Sequence, residues 1–450
     1  MKERKSTILS LSFPIFMQLL LFSLFTTIDT LMVNNYNEKF IISMNNANQV
    51  IQMLNVILLI SSTGVGIVIA QYLGAKKQND AKLTFNNGLI FSFILSLILF
   101  IVISIFNKPL LTLIQCPTEY IDNAVKYISI VVWGIPLNAL FNVLSANLRS
   151  NKKPGVITII AIISNLINVI LNFLLIYGRF GLPELGIQGA AVATLTSQTL
   201  MCISSLIITP IVLKQKIYSL CFSLPHLKQI LKIGLPSALE SICYTFSGLF
   251  VTAPVNKLTD AEMLARSYVN LIVIYIYQFS IAFGQANAIL VGHDVGEENY
   301  DIAKKRTHKS FMICAPILIA LIILLNIFGK NVFSLLIKDI DNPTEVLQFA
   351  TSILPWLFLY ELGRCVNLIY INALKATGDV IFPLISAIIS MFLCSSLGSW
   401  VLGIFLNLGF LGVFLAQALD EVARAILMLF RWSKNKWMNK SISNNKTCEE

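Results

Sequence analysis

The sequence predicts an all-α membrane protein: twelve transmembrane helices in two six-helix lobes, related by a pseudo-two-fold axis along the membrane normal. Three observations carry this. Of 450 residues, 56% are hydrophobic and only 12% are charged, a composition that suits lipid and not water. The apolar residues fall into twelve runs separated by short polar segments. The two halves also resemble each other at a shift of 222 residues.

The runs lie at 7–33, 46–72, 88–106, 120–146, 155–178, 187–213, 230–254, 263–292, 310–329, 345–372, 380–405 and 409–431. The first sets the pattern. Leu11 to Val33 reads LSFPIFMQLLLFSLFTTIDTLMV, with no charge before Asp29. A helix of that length crosses the ~30 Å hydrocarbon core of a bilayer. Pro14 interrupts the backbone ladder, and Asp29 puts a carboxylate at membrane depth. Both therefore need protein or a water cavity beside them. The preceding MKERKSTILS is basic but lacks a small-residue cleavage site, so the first run is expected to be retained. The polar tail from Trp432 to Glu450 is expected to be disordered.

The formal net charge of +10 is not read as nucleic-acid binding. Lysine and arginine concentrate in alternate segments between the runs, as in Lys76, Lys77 and Lys82, then Arg149, Lys152 and Lys153, then Lys304, Lys305 and Arg306. The other segments hold single residues such as Lys39, Lys108 and Lys257. The basic set is expected on the cytoplasmic side, with both termini inside a cell membrane.

The repeat rests on three matches in order. Pro14 in SFPIF corresponds to Pro236 in GLPSA. Gly74 corresponds to Gly296, with related segments following at 79–82 and near Asp301. At a shift of 223, LGIQGAAVA (185–193) matches LGFLGVFLA (408–416) through Gly189 with Gly412 and Ala193 with Ala416. Six spans is an even number, so the halves share orientation. The expected domains are an N-terminal lobe at 1–213, a cytoplasmic linker at 214–229, a C-terminal lobe at 230–431 and a tail at 432–450. Substrate sites in such pairs lie near the repeat interface, and rocking of the bundles alternates access. The linker is mildly amphipathic and suited to the inner membrane surface.

Eight cysteines show no CxxC spacing, and five lie in apolar runs, so they read as small buried hydrophobes. His226, His293 and His308 are expected in loops, and no metal-ligand cluster is visible. Ionisable residues within the runs are Asp29, Lys126, Glu240, Glu361, Arg364, Asp420, Glu421 and Arg424. Each is a functional candidate until a partner explains it. Asp29, after Thr26 and Thr27, can bind Na+ or a proton, or can snorkel to the outer headgroups. Glu240 lies one turn after Pro236 with no partner in its own helix, and its repeat partner is Gln18. Glu361 either takes up a proton or pairs with Arg364 at i,i+3. Asp420 and Arg424 at i,i+4 read as an internal salt bridge, and Lys126 as a snorkelling lysine. Asn168 and Asn172 share one helix face at i,i+4. Their amides can ligate a hard cation or bond a neighbouring helix.

These features resemble the multidrug and toxic compound extrusion (MATE) family of secondary transporters. The matching pieces are P-x3-Q ending in IDTLMV (14–33), GxGIVIAQYLGA (64–75), LRS-x3-PG (148–155), NVILNFLLIYG (168–178) and PELGIQGAAVAT (183–194). In the second half they are GLPSALES (234–241), LKATGD (374–379) and ALDEVAR-x6-RW (418–432). The resemblance implies two six-helix lobes around a cleft, and export of organic, mostly cationic and lipophilic compounds in exchange for H+ or Na+. Asp29 matches the family's first-helix aspartate in an N-lobe cation site, and Asn168 and Thr194 match other residues lining it. Asn172 falls where many members carry a second aspartate, so this chain has one negative charge fewer. Na+ would sit at Asp29, Asn168, Asn172 and Thr194. Glu240 matches a glutamate used for cation coupling in another branch, and Glu361 falls where that branch has an aspartate.

Two other readings compete. A lipid-linked precursor flippase of the wider superfamily would carry a strongly cationic cleft or extra spans, whereas the buried charges here lean acidic. A membrane enzyme would need a clustered nucleophile and base or metal ligands. The expectation is therefore a monomeric transporter of small molecules that needs the bilayer, a coupling ion and no cofactor.

Overall fold

The computed structural model describes residues 7–214, 218, 221–337 and 342–441. Part of the expected linker (215–217 and 219–220), the basic start at 1–6 and the tail from 442 lie outside the described residues. The described chain is helical nearly throughout. Contacts divide it into two compact units, one over Phe13–Ala238 and one over Leu239–Lys446 with Thr7–Ser12.

The first unit is built on α1 (Ile8–Tyr36), α2 (Glu38–Gly74), α3 (Gln78–Leu113), α4 (Thr118–Val131), α5 (Gly134–Ser150), α6 (Pro154–Ile176) and α7 (Ile187–Leu213). Helix α8 (Leu224–Val255) begins in the first unit and ends in the second. The second unit continues with α9 (Asp260–Gly296), α10 (Tyr300–Leu336), α11 (Pro343–Ser352), α12 (Leu357–Thr377), α13 (Ile381–Ser390) and α14 (Gly409–Ser433). Beyond α13 the chain widens into π-helical turns at Met391–Leu397 and Ser399–Phe405.

All twelve apolar runs fall on helices, but not all are single spans. Ten helical stretches are long and apolar enough to cross a membrane, or eleven if α4 and α5, bent by 50°, count as one. The remaining run is α14, which carries Asp420, Glu421 and Arg424 in its middle. The run at 345–372 is interrupted by a 3-10 turn at Leu354–Trp356, where Pro355 removes a backbone donor. Apolar side chains are exposed in lines, as with Ile94, Ile98, Ile101 and Ile105 on α3. Such a surface belongs in lipid, and the protein is a multi-pass membrane protein.

The repeat is visible in helix boundaries. Glu38 to Asp260, Gln78 to Tyr300 and Ile187 to Gly409 are each separated by 222 residues, the starts of α2 and α9, α3 and α10, and α7 and α14. Helices α2 and α9 also end on the matched residues Gly74 and Gly296. The matched pair Gly189 and Gly412 does the same work in each unit. A Cβ at Gly189 would lie 2.6 Å from the Leu175 carbonyl oxygen, and one at Gly412 would lie 2.4 Å from that of Leu402. Only glycine permits these close approaches of backbone.

Helix ends are fixed by identifiable contacts. Thr259 and Glu262 form a capping box at the start of α9. The second carboxylate oxygen of Glu262 accepts the Phe410 amide at 2.7 Å, which anchors the start of α14. At the other end of α9, Arg306 pairs with Asp294 through two hydrogen bonds of 2.6 and 3.1 Å.

Two expectations are corrected. The histidines are not in loops: His226 opens α8, His293 lies near the end of α9 and His308 is in α10, because the helices extend beyond their apolar runs. His226 is buried, with Nδ1 2.7 Å from the Ser223 hydroxyl and Nε2 3.3 Å from Asp80. The beginning of the tail is also ordered. Trp437 is fully buried, stacks on Trp432 at 4.2 Å and donates its indole N–H to the Trp432 carbonyl. One large aromatic supplies enough apolar area to hold a polar segment in place.

Candidate ion-binding sites

The first unit gathers neutral polar groups around one carboxylate. Asp29 sits in the last third of α1, partly buried. Its Oδ1 accepts a 2.7 Å hydrogen bond from the Asn172 amide nitrogen on α6. The same nitrogen lies 3.3 Å from Asn168 Oδ1, one turn earlier. Asn168 and Asn172 are both buried, so their i,i+4 spacing faces protein and not lipid. The structure thus joins Asp29, Asn168 and Asn172 directly. Asn172 Oδ1 is buried and has no donor among the described residues.

Thr194, on α7, reaches this group indirectly. Its side chain bonds the hydroxyl of Tyr127 on α4, which also bonds Asn48 on α2 and feels the charge of Asp29. Tyr127 and Asn48 are site residues that sequence reasoning misses. Polar side chains from five helices therefore converge here, and the only acid among these six residues is Asp29. Thr26 and Thr27 are not part of the cluster. Their hydroxyls donate to Phe22 and Ser23 carbonyls in α1 itself, at 2.9 and 3.0 Å.

The N-terminal half of α1 is held by α5 and α6. Thr158 donates its hydroxyl to the Pro14 carbonyl at 2.9 Å, and Arg149 reaches Gln18 at 3.2 Å. Tyr177 donates to the Met32 carbonyl at 2.8 Å near the other end of α1. These contacts supply the protein partners that a proline-bearing, charged span requires.

The second unit contains a denser array. Glu361 and Arg364 pair at 3.0 Å on α12. On α14, Arg424 grips Asp420 with two hydrogen bonds of 2.7 and 3.2 Å and lies 2.9 Å from Glu421. Both same-helix pairings suggested by spacing are present. Glu421 adds what spacing does not show. It lies 3.4 Å from Arg364 and accepts a 2.8 Å bond from Asn367, linking α12 to α14. All six side chains are buried. Arg364 also bonds the Tyr360 hydroxyl and packs over the rings of Tyr277 and Tyr360. Three carboxylates share two guanidiniums, so one negative charge is left over when all are ionised. Glu361 is held by one oxygen only. Its Oε2 is buried with no hydrogen-bond partner among the described residues.

Glu240 is not isolated, contrary to the expectation from its own helix. Lys375, at the end of α12, lies 2.9 Å from its Oε2. Both side chains are largely buried. The two matched positions therefore behave alike. Gln18 and Glu240 each meet a basic residue from the last turn of a helix, Arg149 on α5 and Lys375 on α12.

Known proteins resemble the whole chain. The MatE family model matches residues 14–174 and 236–401. The uncharacterised transporter YisQ of Bacillus subtilis is 28% identical over 98% of this chain and 97% of its own length. A probable multidrug resistance protein NorM from Thermotoga maritima is 23% identical over 100% of this chain and 96% of its own. Among solved structures, a point mutant of the Vibrio cholerae MATE transporter VcmN superposes with a TM-score of 0.86 at 15% identity, covering 95% of each chain.

Proposed function

Because the chain belongs to the MatE family of membrane transporters, we propose that it is a secondary active antiporter for multidrug efflux. It exports organic, mostly cationic and lipophilic compounds in exchange for H+ or Na+. The protein is a transporter and not an enzyme. The observation that carries the antiport reading is the Asp29–Asn172–Asn168 contact: one carboxylate at membrane depth, held by an amide and surrounded by neutral oxygen ligands. A proton on Asp29 would remove its charge. A Na+ would be met by the carboxylate, the Asn168 and Asn172 amide oxygens and the Thr194 hydroxyl, the hard ligands such an ion prefers. The unpaired Asn172 Oδ1 supports either occupant.

The coupling follows from differential affinity. A cation that favours one access state of Asp29 shifts the equilibrium toward it, and a substrate that favours the other shifts it back. Glu240 and Glu361 are proposed as further coupling groups. Glu361 carries the surplus charge of its network, and Glu240 exchanges its Lys375 partner for a cation. The layout proposed is twelve spans, counting α14 and the bent α4–α5 pair, in lobes at 1–213 and 230–431 joined by the 214–229 linker, with a tail at 432–450. Equal offsets of helix starts support a pseudo-two-fold along the membrane normal. Since the whole Asp29 cluster lies within one unit of one chain, the monomer is the proposed working form.

Both termini are placed in the cytoplasm by the lysine and arginine distribution. In a cysteine-free background, an impermeant thiol reagent added outside should label Thr118→Cys and not Lys153→Cys. The reverse pattern would overturn this orientation. The transport reading is tested with purified protein in liposomes. Efflux of a lipophilic cation should respond to an imposed pH or Na+ gradient. A flux that follows neither gradient would exclude antiport.

A further inference from the structure

The second unit encloses a cavity of about 330 Å³, a size that suits a small organic molecule. Helices α8, α9, α12 and α14 and the π-helical turns after α13 form its walls. On α9, Arg266, Asn270, Val273 and Tyr277 recur at helical spacing on the face that lines it. Tyr244 and Gln417 add further polar groups, while Ile274 and Met391 supply apolar wall.

Charges around this cavity are unequally matched. Arg364 is paired with Glu361 and Glu421, and Asp420 and Glu421 are gripped by Arg424. Arg266 is different. It is partly buried, one and a half turns inside α9, and makes no hydrogen bond or ion pair with any described residue. An unmatched guanidinium within a membrane span is costly and marks a ligand path by default. The acids lining the cavity are already committed, so they do not provide a free site for a cation. The free charge is positive. A planar guanidinium is suited to two parallel hydrogen bonds with a carboxylate, and the tyrosine rings are suited to an aromatic body beside it.

We propose that this cavity binds an organic anion, a carboxylate on a compact aromatic body, with Arg266 as its counter-charge. This goes beyond the export reading, which requires only a cation at Asp29. The site lies entirely within the second unit and is independent of the Asp29 cluster.

The test uses the full chain in lipid nanodiscs and two near-isosteric probes, naphthoate and neutral naphthamide, titrated by calorimetry. Wild-type protein should bind naphthoate about tenfold or more tightly, the scale of a charge-assisted hydrogen bond. Arg266→Gln should bring the two probes within about twofold of each other, and Arg266→Lys should keep part of the preference. Gly248→Leu is the second variant. Gly248 lines the cavity, and a Cβ there meets no atom within 4 Å, so the new side chain fills the space without strain and should weaken both probes. Asp29→Asn, expected to stop gradient-driven export, should keep the naphthoate preference, so the two readings fail separately. Absence of saturable naphthoate binding, equal binding of both probes to wild type, or a preference retained in Arg266→Gln would overturn the assignment. If Arg266→Gln does not fold, undiminished naphthoate binding to Gly248→Leu would overturn it instead.

Discussion

Asp29 stands among neutral partners, whereas Glu361, Asp420 and Glu421 share Arg364 and Arg424. The first arrangement changes its charge cheaply. A proton or Na+ at Asp29 disturbs one amide contact, and no guanidinium among its described partners loses a mate. The second is a closed network in which each charge is another's compensation. Removing one leaves others buried and unmatched, which is costly. The two units thus descend from one repeat but divide the work: a sparse site fit for exchange and a dense one that binds helices together.

Breaking the dense network should give the largest effect. Arg424→Met leaves Asp420 and Glu421 short of a partner and should destabilise the folded protein by about 3–5 kcal/mol. Thermal unfolding in detergent reads this directly. A loss below about 1 kcal/mol would mean the network is wetter and looser than its burial implies.

The matched glycines sharpen the comparison. Gly189→Ala and Gly412→Ala each push a Cβ onto a carbonyl of the preceding chain. Each should cost about 1–3 kcal/mol as an overpacked contact. If only one of the two is destabilised, the units have diverged in packing as well as in charge.

A smaller effect is expected at Glu240. Glu240→Gln and Lys375→Met, alone and together, form a double-mutant cycle. A coupling of about 0.5–3 kcal/mol is expected for a partly buried contact pair. Additive losses would show that the 2.9 Å approach contributes nothing in solution.

Much of the fold is legible in the sequence because membrane helices announce themselves by length and hydropathy. The repeat at 222 residues reappears in the starts of α2 and α9, α3 and α10, and α7 and α14. Contacts within one helix are legible too. Glu361–Arg364 and Asp420–Arg424 follow from i,i+3 and i,i+4 spacing. Contacts between helices are not, because sequence spacing does not set the register of one helix against another. Hence Tyr127 and Asn48 beside Asp29, Lys375 beside Glu240, and Glu421 bridging α12 and α14 emerge only from the structure. Arg266 lies within an apolar run and was open to the same search for intramembrane charge. Trp437 had a signal as well, as an aromatic in an otherwise polar tail, and its burial outweighs the composition around it.

The central claim is that Asp29 couples ion movement to export, and one substitution tests it directly. Asp29→Asn keeps the size of the side chain and its hydrogen bonding to Asn172 but removes the charge that a proton or Na+ would neutralise. Purified wild-type and variant protein are compared in liposomes with pH and Na+ gradients imposed separately, after matched insertion is verified. The account predicts a folded, inserted variant whose gradient-driven efflux falls by about tenfold or more, the scale of losing one charge-assisted contact. Efflux at the wild-type rate would contradict it.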